Sequence, residues 1–192
     1  MNKLALAISL LLVSTPAVFA GDDHDKKRHH DAHEHGSGKL SAVAFDGQLM
    51  IEIETPSHDM VGFEHKPTND KQKAKVKEAI KLLKKTESNI KLPGEANCVA
   101  SNHKVETALM EEEHHDEHGH HDQDDHDHDE DTHSEFHIVY NFNCKNVDKL
   151  NYIEVLSFGH FKNMSKLVAQ GATDKGQYSK TLTPESPRFN LE

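Results

Sequence analysis

Between residues 111 and 135 the chain carries 13 Asp/Glu, eight His and no Lys or Arg. Imidazole and carboxylate are ligands for borderline divalent metals, Zn(II) first, with Ni(II), Cu(II) and Co(II) behind it. His114, His115, His118, His120, His121, His126, His128 and His133 are therefore candidate metal ligands. The segment has no apolar residue to hold it still, so its composition predicts a disordered insertion over 111–134 with several exchangeable sites and no rigid tetrahedral cage. Metal capture needs neutral imidazole. It should weaken as pH falls through the ordinary His range near ~6.5.

Two smaller groups suit an ordered site. His33 and His35, in AHEHG, precede the first strand-like run, and SHDMVGFEH supplies His58, Asp59, Glu64 and His65. Ligands from two segments meeting at one end of a sheet would suit Zn(II). His103 and His137 are either a second ligand pair or two separate surface histidines, and His160, in a turn beside aromatic residues, reads as structural. Catalytic signatures are missing: the sequence has no H-E-x-x-H, no G-x-S-x-G and no phosphate-cradling glycine loop. The run His126-Asp127-His128-Asp129 starts like a metallohydrolase motif, but Asp131 stands where its last His belongs. The expectation is a binding protein, not an enzyme.

The elements that must position these ligands are legible in the pattern. LSAVAF and QLMIEIE alternate as strands and are joined by Asp46-Gly47, a strong two-residue hairpin signal. That turn sets Phe45 against Gln48 and Lys39 against Glu54, and extrapolation brings His35 near His58. Val76, Ala79, Ile80 and Leu83 follow helical spacing within 68–88, with Thr68, Asn69 or Asp70 as cap. CVASNHKVETALM and FHIVYNFNC flank the acidic insertion, with Phe136, Ile138, Tyr140, Phe142 and Cys144 on one face by period two. If Cys98 lies opposite Cys144, Val105 faces His137, with His103 one diagonal step away on the same face. LNYIEVLSF, KLVAQGAT and GQYSKTLT add strand-like pieces. The expected class is α+β: an antiparallel β-sheet with one or two helices packed on it, plus the disordered insertion.

Export fits this chemistry. Lys3, the apolar run Leu4 to Val13 and Val18-Phe19-Ala20 read as a cleaved signal peptide over 1–20, too short to span a membrane and with no Cys near the cut to carry a lipid. A flexible His-rich tail over 21–38 and one domain over 39–192 would follow, periplasmic, monomeric and without direct membrane insertion. An even cysteine count in an exported chain predicts a Cys98–Cys144 disulfide. Of the −11 net charge, −13 sits in 111–135. The remainder is nearly neutral, and the acidic segment argues against nucleic acid as a partner.

AHEHG, VGFEH, the two cysteines and the His/Asp/Glu-rich insertion between them resemble the ZrgA-type periplasmic zinc-uptake proteins over nearly the whole mature chain. The matching positions are Ala32-His33-Glu34-His35-Gly36 and Val61-Gly62-Phe63-Glu64-His65. The resemblance implies a zinc-binding accessory protein working beside an ABC-type importer and its outer-membrane partner. The chain is too short for the two-lobed solute-binding proteins of zinc importers. Two other readings stand: a periplasmic sponge that detoxifies Ni(II) or Cu(II), and a zinc hydrolase.

Overall fold

Asp46 and Gly47 take φ of 49° and 75°, the two positive values that a tight hairpin turn demands. They join β1 (Ser37–Phe45) to β2 (Gln48–Pro56), with Phe45 opposite Gln48 and Lys39 opposite Glu54 as the turn required. Leu40, Ala42, Ala44, Leu49, Ile51 and Ile53 are buried on one face of this pair. The computed structural model describes residues 34–110 and 134–192. The expected signal peptide over 1–20, tail residues 21–33 and residues 111–133 of the expected insertion lie outside the described residues.

β5 (Glu135–Cys144) pairs antiparallel with β2, and β4 (Cys98–Thr107) pairs with β5 at the sheet edge. On the other side β7 (Lys166–Thr173) lies beside β1, followed by β8 (Gly176–Leu182). The order is β4-β5-β2-β1-β7-β8. The α+β class holds, with two features the sequence pattern did not contain. The β1–β7 pairing is parallel, and β3 (Ile90–Lys91), β6 (Tyr152–Val155) and β9 (Arg188–Asn190) form a separate small sheet.

Among the described residues three α-helices accompany the sheets: α1 (Ser57–Val61), α2 (Asp70–Leu83) and α3 (Thr86–Asn89). The Asn69 side chain accepts from the Gln72 N–H at 3.0 Å and caps α2. Val76, Ala79 and Leu83 form its buried stripe. The expected helix over 68–88 stops earlier because buried side chains take its last carbonyls. The Tyr140 hydroxyl donates to Leu83 O at 2.7 Å, and Asn89 Nδ2 donates to Leu82 O and Lys85 O, both at 2.9 Å.

Cys98 and Cys144 are bonded and directly opposed. The strands then keep register only as far as Ala100 opposite Phe142. A bulge at Ser101 sets Asn102 opposite Asn141 and shifts all later pairs by one residue. Glu106, not Val105, therefore faces His137, while His103 faces Tyr140. Because side chains alternate between faces, His103 and His137 lie on opposite sides of the sheet. The expectation that they share a face is corrected by that one extra residue.

No described helix is long and apolar enough to cross a membrane.

Candidate metal centre

Where β2 ends at Pro56, α1 turns the chain across the start of β1. Two glycines fix the local path. Gly36 has φ +82°, and a Cβ there would stand 2.9 Å from Ser165 Oγ; its carbonyl accepts from the Ser165 and Lys166 N–H groups. Gly62, at φ +80°, closes α1 in the left-handed conformation, its N–H donating to His58 O at 2.8 Å. The invariable backbone demands at these positions explain why AHEHG and VGFEH each carry a glycine.

Between these turns the side chains converge. The rings of His35 and His58 stack with centroids 4.3 Å apart, and His35 Nε2 lies 3.1 Å from Glu64 Oε1. Asp59 is 1% exposed. Its Oδ1 accepts from the Gly36 N–H at 2.7 Å and its Oδ2 from the Thr55 hydroxyl at 3.0 Å. His58 Nδ1 stands 3.7 Å from Asp59 Oδ1, shielded from solvent and without a hydrogen-bond partner among the described residues. The His35 side chain is 54% exposed, that of His58 35% and that of Glu64 14%.

The structure thus joins His35, His58, Asp59 and Glu64 of the predicted set, and the expected approach of His35 to His58 is realised. Asp59 already spends both oxygens on Gly36 and Thr55. It is placed to hold the two segments together and set its charge 3.7 Å from His58 Nδ1, one short shift from the hydrogen bond by which a carboxylate orients a ligating imidazole. His65 is exposed, its ring stacked on Phe63 and its Nδ1 2.9 Å from Lys66 O. His160 Nε2 lies 3.1 Å from Ser88 O, a structural contact as expected. His33, His114, His115, His118, His120, His121, His126, His128 and His133 lie outside the described residues.

Ser134, where the chain returns from the insertion, sits against this centre. Its hydroxyl donates to Glu64 O at 2.6 Å, and its carbonyl accepts from the Ser57 N–H at 2.8 Å.

A second cluster occupies the outward face of the six-stranded sheet. Glu54 is opposite His137, Glu106 flanks His137 on its other side, and Glu52 lies two residues along β2. His137 Nε2 contacts Glu52 Oε1, and its Nδ1 lies 3.7 Å from Glu106 Oε2. Burial pulls the His137 pKa down, but the hydrogen bond and charge of Glu52, with Glu106 and Glu54, outweigh it and leave the value raised. The Lys104 ammonium, 2.7 Å from Glu106, holds that carboxyl below its usual range. Glu52, Glu54 and His137 each offer a ligand atom within 4.8 Å of the others. Sequence reasoning found His137 but not the glutamates, because outward-facing acids on a strand carry no motif; only the register assembles them.

The family model described as ZrgA family zinc uptake protein matches residues 32–191. No curated protein matches the chain.

Proposed function

The chain belongs to the ZrgA family of zinc uptake proteins, and on that premise we propose that it is an exported, periplasmic Zn(II)-binding protein that supports uptake by an ABC-type importer. It acts as a monomer and catalyses no reaction. Zinc sits at the end of the sheet, with His58, His35 and Glu64 as ligands. The observation that carries this reading is the solvent-shielded His58 Nδ1, beside a buried carboxylate and against a His35–Glu64 pair.

The chemistry follows from the ring geometry. Rings stacked at 16° send their lone pairs side by side, so one ion shared by both requires His35, the more exposed ring, to turn. Asp59 itself stays fixed while this happens, locked by Gly36 and Thr55, and keeps its carboxylate 3.7 Å from His58 Nδ1. Three protein ligands leave a position open to water or to a ligand of the receiving protein, the arrangement of sites that exchange. The eight histidines of 111–134 raise the local concentration of loosely held ion beside this centre, because the insertion is joined to the fold at Ser134.

Calorimetric zinc titration of residues 21–192, beside a version lacking 111–134, tests the reading. One tight event should survive the deletion and disappear with His58→Ala, while weaker events belong to the insertion alone. At about pH 5.5 all events should weaken, as protons compete for imidazole. Loss of every event on deletion would leave the ordered centre without a role. Preference of the surviving site for Ni(II) or Cu(II) over Zn(II), with expression rising in metal excess, would make the protein a sponge.

A further inference from the structure

We propose that Glu52, Glu54 and His137 form a second, carboxylate-rich divalent-cation site on the outward face of the six-stranded sheet, separate from the centre at His58. The ligands come from β2 and β5, both interior strands, so their backbones are held by hydrogen-bonded neighbours on each side. Such support preorganises a site better than a loop does.

Spacing and charge both fit an ion. Ligands about 2.0–2.2 Å from a zinc-sized ion are separated from one another by at most about 4.4 Å. A set whose ligand atoms already lie within 4.8 Å closes round one cation with small side-chain adjustments. Glu52, Glu54 and Glu106 crowd one imidazole, balanced by Lys104 at Glu106 and by Lys39 opposite Glu54 in register. A divalent ion relieves the repulsion among these carboxylates. The imidazole separates this cluster from an ordinary acidic patch, since one His with two carboxylates is a donor set for Zn(II), Mn(II) or Co(II). His137 and Glu52 are each about one-third exposed, so water completes the coordination and the ion exchanges readily.

The position gives the site a task, and that task rests on the zinc reading above. His137 is three residues beyond Ser134, and Glu54 is four residues before His58. The two sites therefore flank the same root of the His-rich insertion. An ion leaving that segment meets the sheet-face cluster or the His58 centre within a few residues' length of chain, and the weaker cluster serves as a landing place.

The test uses residues 21–192 labelled uniformly with ¹⁵N. Zn(II) is titrated while the ring nitrogens of His58 and His137 are followed separately, in the wild type and in the Glu52→Gln/Glu54→Gln variant. Both rings should shift in the wild type, His137 at the higher zinc concentration. In the double variant His137 should need at least about tenfold more zinc, with His58 unchanged. A His137 ring that ignores zinc, or responds equally in both proteins, overturns the proposal. If the variant loses its fold, Mn(II) added to the wild type decides: selective broadening of the Ile53 and Ile138 amides supports the site, and its absence overturns it. Silence of His58 with a responsive His137 would instead sink the primary centre and leave this one standing.

Discussion

Substitutions at Asp59 should separate stability from metal binding. It is a buried carboxylate accepting from the Gly36 N–H and the Thr55 hydroxyl, and it faces His58 Nδ1 at 3.7 Å. Asp59→Ala leaves two buried donors without acceptors. At about 1–3 kcal/mol for each unsatisfied group, and with the Thr55 hydroxyl free to rotate, the expected loss is about 2–4 kcal/mol. Asp59→Asn keeps the shape: its amide oxygen accepts from Gly36 N–H, and its NH₂ donates to Thr55 Oγ1 once that hydroxyl turns away. Its cost should be at most about 1 kcal/mol. Both variants remove the negative charge opposite His58, so both should weaken the tight zinc event by about 10–100-fold, the usual penalty for losing a carboxylate behind a ligating imidazole. Urea unfolding of the metal-free protein gives the first quantity and calorimetry the second. If Asp59→Asn binds zinc like the wild type, the carboxylate does not act through His58. If Asp59→Ala unfolds at the wild-type midpoint, it does not tie Gly36 to the helix.

Removing the disulfide as Cys98→Ser/Cys144→Ser should cost about 4 kcal/mol from the loop entropy of a 46-residue separation; urea unfolding measures it, and a loss below about 1 kcal/mol would show that the β4–β5 ladder alone constrains the chain. Gly36→Ala and Gly62→Ala should differ. Each forces a left-handed residue, at about 1–2 kcal/mol, but only the Gly36 methyl meets a neighbour at 2.9 Å, whereas the Gly62 methyl lies 3.4 Å from a flexible Lys75 Nζ. Equal thermal shifts would contradict the crowding at Gly36. In the metal-free protein His137 titrates above its ordinary value, so the native state binds this proton more tightly than the unfolded chain. Its stabilisation is whole below about pH 6.5 and fades as pH rises through the raised pKa. NMR titration should show Glu52→Gln lowering that pKa, and an unchanged value would remove Glu52 as its cause.

Local chemistry was readable where it decided the outcome. Asp46-Gly47 dictated the turn, the turn dictated the β1–β2 register, and extrapolating that register brought His35 to His58. Cys98 and Cys144 likewise fixed the start of the β4–β5 ladder. Ser101 did not announce itself: a bulge in a run of polar strand residues has no signature unless glycine or proline marks it, and missing it moved Glu106 into the place expected for Val105. The parallel β1–β7 pairing was hidden for another reason. It joins segments more than a hundred residues apart, and nothing in either strand states its partner. The Glu52–Glu54–His137 cluster depends on such pairing and was invisible for the same cause.

The location of the ligands bears on whether zinc would be cargo or scaffold. A structural zinc site supplies folding energy and is closed by four ligands. Here the fold has its own means of support, with the core between sheet and α2, the Tyr140 bond to Leu83 O, and the Cys98–Cys144 link. None of these passes through His35, His58 or Glu64. The proposed ligands lie at the end of the sheet, with His35 half in solvent, while Asp59, which holds the segments together, is buried and satisfied without metal. On the proposed reading, rigidity falls to a carboxylate that never needs to let go, and mobility to an imidazole that would have to. That division lets an ion leave without unfolding what held it, as carriage requires and a structural role does not.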